Sequence, residues 1–150
     1  MIKNSCVFIV LGILMTSFCY LIKSDFLATF LHQNIISLTI TLIAITSAVR
    51  AIILSKLTEI KLSNKQIDFS GTFKELKISI YEQVAMIVIS ILAITIGDSK
   101  LLICNPNIPT SFIVNSILTA VLFYSIYILY DTAIAVIDIF IALSNNDKQS

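Results

Sequence analysis

The sequence predicts an all-α polytopic membrane protein of four transmembrane helices, with helices 2, 3 and 4 extending into the cytoplasm. Three observations carry that expectation. Of 150 residues, 57% are hydrophobic and 13% charged, where water-soluble domains run about 45–50% apolar and about 25% charged. Mean hydropathy is +0.97. Three Gly and two Pro are too few turn formers for an all-β sandwich or barrel, which needs a turn every ~8–12 residues.

The chain reads as a single transmembrane domain, 1–150. The first span, 6–22, carries no charge. Lys3 before an apolar run resembles a signal peptide, but the run exceeds the usual ~7–15 residues and no small-residue cleavage site follows Tyr20, so a retained span is expected. The second span, 35–54, has Arg50 near its end. In the third, the apolar run 84–96 is shorter than the ~20 residues a bilayer core requires. The span therefore begins near Ile78, as 78–96, with Glu82 at its boundary. The fourth, 111–130, opens after Pro109-Thr110 and continues as an apolar extension, 131–143, interrupted by Asp131 and Asp138.

Between spans two and three, the loop 55–77 carries helix signals at both ends. Leu54, Leu57 and Ile60 continue the apolar spacing of the second helix. Polar turn residues are expected at Ser63-Asn64-Lys65-Gln66 and then at Ser70-Gly71. Thr72-Phe73-Lys74-Glu75 fits a capping box, predicting a helix over 73–96 with Thr72 as its cap and Gly97 placed to end it. The loop holds Lys56, Lys61, Lys65, Lys74 and Lys77, whereas the other two loops hold one lysine each, Lys23 and Lys100. The excess puts this loop and both termini in the cytoplasm, N-in and C-in.

Composition and motifs exclude several functions. Net charge is +1, with no polybasic stripe for direct nucleic-acid binding. No G-x-S-x-G, P-loop, H-E-x-x-H or C-x-x-C occurs, so neither an enzyme nor a cofactor or metal site is expected. His32, beside Gln33 and Asn34, reads as solvated in an outer loop. Cys6 and Cys19 read as small apolar fillers, and Cys104 as the odd cysteine of an outer loop.

Three constellations remain. Arg50 reaches the inner boundary at the depth of Asp131 and Glu82; it either snorkels to the interface or forms an intramembrane ion pair with one of them. Asp131 and Asp138 lie seven apart on one helix face that Tyr124 and Tyr127 extend. That stripe fits the solvated edge of a helix with interfacial tyrosines, or the inner mouth of an oligomeric cation pore. Finally, Ala44 with Ala48, and Ser47 with Ala51 and Ser55, repeat every four residues and form a helix-packing face. Asn115 and Thr119 read as interhelical hydrogen-bonding residues. The apolar extension 131–143 needs cover, from the ends of spans two and three or from another subunit.

This layout, with Asn34 opening span two, a lysine-rich inner loop and a helix entering at Phe73-Lys74-Glu75-Leu76, resembles small four-span membrane proteins of bacterial antiphage systems. These are the Kiwa KwaA-like and the RexB-like phage-exclusion proteins. The likeness is one of layout, without a diagnostic motif. It implies a homo-oligomer in the bacterial inner membrane that senses infection or perturbs the membrane, with a cytoplasmic effector contacting 55–77 and 131–143. The alternatives are an immunity protein that blocks a pore-forming bacteriocin and a small ion-conducting channel.

Overall fold

The computed structural model describes residues 2–63, 69–99 and 109–146. Within them the chain forms four helices and no strand: α1 (Ile2–Leu21), α2 (Phe26–Ser63), α3 (Ser70–Asp98) and α4 (Thr110–Asn146). The segments Phe26–Glu59, Ser70–Asp98 and Thr110–Ile141 are each long and apolar enough to cross a membrane, and the apolar part of α1, Cys6–Leu21, is shorter. At 1.5 Å per residue α2 and α4 are each about 55 Å long, well beyond a ~30 Å hydrocarbon core.

α2 begins nine residues before the expected span, at Phe26. The polar run His32-Gln33-Asn34 does not break it, because two of these side chains have partners. Asn34 Nδ2 donates to the Phe30 carbonyl at 2.9 Å, and His32 reaches Asn115 on α4. The α1–α2 connection is therefore a tight turn at 22–25, closed by Ser24 N–H donating to the Cys19 carbonyl at 3.0 Å, with Lys23 at a φ of 52°.

α3 also starts earlier than the capping box implies. Phe69 occupies the N-cap without a side-chain cap bond, and the Phe73 amide donates to its carbonyl at 3.0 Å. Ser70 and Gly71, expected in a turn, are thus helical, and Thr72 lies inside the first turn. Gly97 is helical rather than a terminator, and α3 runs on to Asp98. What Gly97 provides is proximity: a Cβ there would meet Val114 Cγ1 at 3.2 Å. The expected turn at 63–66 and Cys104 fall wholly or partly outside the described residues.

α4 is the central helix. It packs against each of the others, α2 and α3 pack on each other, and α1 leans chiefly on α4. Six of its buried residues, Val114, Leu118, Val121, Ser125, Ile128 and Thr132, alternate steps of four and three, the seam of a coiled-coil-like contact. α2 answers with Leu31, Ile35, Thr39, Thr46, Arg50, Ile53 and Leu57, and α3 with Gln83, Ser90 and Ala93, all buried. The threonines sit in this seam because their hydroxyls donate to their own helix: Thr39 to the Ile35 carbonyl and Thr46 to that of Leu42 at 2.9 Å. α1 approaches α4 at Gly12, where a Cβ would stand 2.5 Å from the Ser116 carbonyl oxygen and 2.9 Å from Ala120 Cβ.

Candidate functional site

Arg50 is the charged residue of the seam, 3% exposed. Its hydrogen-bond partners among the described residues are neutral. One terminal nitrogen, Nη1, donates to Gln83 Oε1 at 2.7 Å, and Nη2 donates to Ser79 Oγ at 2.6 Å. Gln83, itself 3% exposed, uses its other end to hold α2, with Nε2 donating to Thr46 Oγ1 at 2.7 Å. Thr46, Arg50, Ser79 and Gln83 thus form one polar cluster across the α2–α3 contact. Arg50 Nε, also buried, has no partner among the described residues. A guanidinium in a dry helix contact ordinarily has a carboxylate beside it, because removing a charge from water costs several kcal/mol.

Arg50 neither snorkels to the surface, being buried, nor pairs with Asp131 or Glu82. Both acids lie near the level of Arg50 but face away from it. Arg50 lies 18 residues beyond His32, and Thr132 lies 17 beyond Asn115, so Arg50 and Thr132 stand about 26 Å from the His32–Asn115 bond at 1.5 Å per residue. The inward position of α4 at this depth is the buried Thr132, which leaves Asp131 about 100° away and exposed. On α3 the inward residue is Gln83, and Glu82 is turned away by the same angle and partly exposed. In each helix the acid stands one residue before the position that faces the seam. Among the described residues the one ion pair is Lys56–Glu59 at 2.8 Å, on the surface of α2.

The acidic, aromatic stripe divides in two. Tyr124 is buried and Tyr127 half-buried, both against Phe8 of α1, with ring centroids 5.4 and 5.1 Å away. Those tyrosines anchor α1 and do not line an open face, while Asp131 and Asp138 are exposed. The small-residue row Ala44, Ser47, Ala48, Ala51 and Ser55 is exposed along its length, so the intramolecular packing face of α2 is the opposite one. Small residues do bring helices together, but at Gly12 of α1 against Ser116 and Ala120 of α4, a spacing of four that α4 carries in plain view.

His32 is not a solvated loop residue. Its Nε2 lies 3.1 Å from Asn115 Oδ1 in a part-buried bond between α2 and α4, the interhelical role expected of Asn115. Cys6 is exposed on α1 and Cys19 half-buried. Gln83 and Ser79 escaped the sequence reading because an uncharged amide and a hydroxyl attract no attention in an apolar run. The available signal was the four-residue spacing of Ser79 and Gln83, matching that of Thr46 and Arg50. Compared with family models, curated proteins and solved structures, the chain gives no match.

Proposed function

We propose that this chain is a non-enzymatic, homo-oligomeric protein of the bacterial inner membrane, N-in and C-in, that serves antiphage defence by sensing infection or perturbing the membrane. The observation that carries the proposal is Arg50, a buried charge held by neutral partners between α2 and α3. Such a cluster is a latch with a small energy gap. Sliding α3 against α2 breaks bonds worth a few kcal/mol, and the guanidinium regains part of its hydration when released. The latch sits where α2 and α3 leave the apolar zone, so its state is passed directly to their projecting ends. These ends and the extension of α4 are where a cytoplasmic effector would read it.

Self-association is supported by surfaces that no described part of this chain covers. The row from Ala44 to Ser55 is exposed, and Ile137, Phe140 and Ile141 on the α4 extension are each at least half exposed. The inward orientation rests on the lysine excess between spans two and three.

The proposal is tested by plating phage on cells that express the chain with its neighbouring genes. Wild type should reduce plating by at least tenfold and Arg50→Ala should abolish the reduction, while membrane levels of both stay equal. Full plating of a broad phage panel on wild-type cells would refute defence, and protection from a pore-forming bacteriocin instead would favour immunity. Alkaline phosphatase fused within 98–110 should be active and fused near Lys65 inactive; the reverse would overturn the orientation.

A further inference from the structure

At the opposite end from Arg50, a half-open cleft of about 410 Å³ lies where the end of α1 meets the starts of α2 and α4. Its walls combine three kinds of group. Lys23 and Asp25 supply one charge of each sign at the rim, and Leu27 and Phe112 supply apolar surface. Deeper in, Thr16 lines the cleft and is 7% exposed, and its Oγ1 has no hydrogen-bond partner among the described residues. A buried hydroxyl left unpaired is costly and calls for an explanation. Asn115 also lines the cleft; when its Oδ1 accepts from His32 Nε2, its two amide hydrogens remain as donors.

The first turns of α2 and α4 both border this space. Leading amides of a helix have no carbonyl one turn before them and carry the positive end of the helix dipole. At α4 the Phe112 amide already donates to the Pro109 carbonyl at 2.9 Å, whereas the first bond of α2 runs from the Thr29 amide to the Asp25 carbonyl. The start of α2, a lysine and an orphan hydroxyl make a donor-rich pocket suited to a phosphate, and Asp25 adds an acceptor suited to an amine. The pocket reaches from the helix ends to Thr119, nine residues into α4 or about 14 Å. That is the depth range from head group to upper acyl chain.

We propose that this cleft binds the zwitterionic head group of a phosphoethanolamine lipid, with the phosphate at Lys23, Thr16 and the start of α2 and the amine at Asp25. The inference rests on the chain residing in a bilayer and is independent of its orientation and of defence. Lys23 has a positive φ, so Lys23→Asn removes the charge with a residue that tolerates that backbone.

The test uses the purified full chain in mild detergent, titrated with phosphatidylethanolamine, phosphatidylglycerol of the same acyl chains, diacylglycerol and inorganic phosphate. Native mass spectrometry and thermal unfolding are the readouts. Phosphatidylethanolamine should remain as one adduct per chain and raise Tm, and Lys23→Asn and Thr16→Val should each weaken its retention about tenfold. Without lipid, Thr16→Val should be at least as stable as wild type, because it removes an unpaired hydroxyl. Asp25→Asn should shift preference toward phosphatidylglycerol. Equal retention of diacylglycerol, retention unmoved by these substitutions, or an unchanged preference in Asp25→Asn would overturn the assignment. Binding of inorganic phosphate in place of lipid would overturn the lipid source.

Discussion

Arg50 of α2 and Gln83 of α3 are bonded at 2.7 Å, both 3% exposed, and Gln83 returns a bond to Thr46 one turn away on α2. An amide is suited to this place because it accepts at one end and donates at the other, so a single side chain binds two residues of the facing helix. A carboxylate there would neutralise Arg50 and surrender the donor to Thr46.

The first prediction follows from that geometry. Gln83→Leu leaves the guanidinium with Ser79 alone and should cost about 2–3 kcal/mol, the penalty of an under-partnered buried charge. Arg50→Met combined with Gln83→Leu should lose less than the sum of the single changes, with a coupling of ~1–3 kcal/mol. Asp131→Asn should stay within ~0.5 kcal/mol of wild type. Reversible unfolding in micelles measures all three, and additivity of the first two would break the latch.

Gly12 gives a second prediction. Gly12→Ala places a methyl 2.5 Å from a backbone oxygen that cannot rotate away, and should destabilise by ~1–3 kcal/mol through overpacking. Gly71 has nothing within 4 Å of a built Cβ and lies in the first turn of α3. Gly71→Ala should therefore stabilise by up to ~1 kcal/mol from helix propensity. Opposite signs for two identical substitutions make a sharp check by thermal unfolding.

Phe8→Ala should detach α1 from α4, since its ring is the one that meets both Tyr124 and Tyr127. With ~0.5–1.5 kcal/mol per aromatic pair beyond the area term, a loss near 3 kcal/mol is expected. Phe8→Leu should recover the area term and not the ring geometry.

Asn115→Leu strands the His32 ring and should cost ~1 kcal/mol, a loss that His32→Leu in the same chain largely restores, since two apolar groups replace both polar partners. Failure of the double substitution to recover stability would mean that the bond contributes nothing.

Helix class and number were legible in the sequence because both follow from composition and run length. Depth was legible too: Arg50, Glu82 and Asp131 do lie near one level. Facing was not. The spans are apolar on all sides, as lipid-exposed helices must be, so hydrophobic periodicity cannot tell the seam from the lipid face. Charge was then the remaining guide, and it pointed to Glu82 and Asp131, while the seam runs through their neighbours Gln83 and Thr132. The starts of α2 and α3 were misplaced for a related reason. Polar residues read as helix ends, yet His32 and Asn34 are bonded inside α2, and Thr72 gives up its capping role once Phe69 serves the Phe73 amide.

The step pattern of α4, with Val114, Leu118, Val121, Ser125, Ile128 and Thr132 turned inward, makes helical phase a chemical variable. Inserting one residue upstream of Ser125 would rotate everything beyond it by about 100° and bring Asp131 into the place of Thr132, at the level of Arg50. Deleting one residue would bring Ala133 there instead. Changes in length along this helix are thus changes in the charge of its interior. A chain built this way can accept many substitutions on its lipid face and almost no shift of reading phase along its central rod.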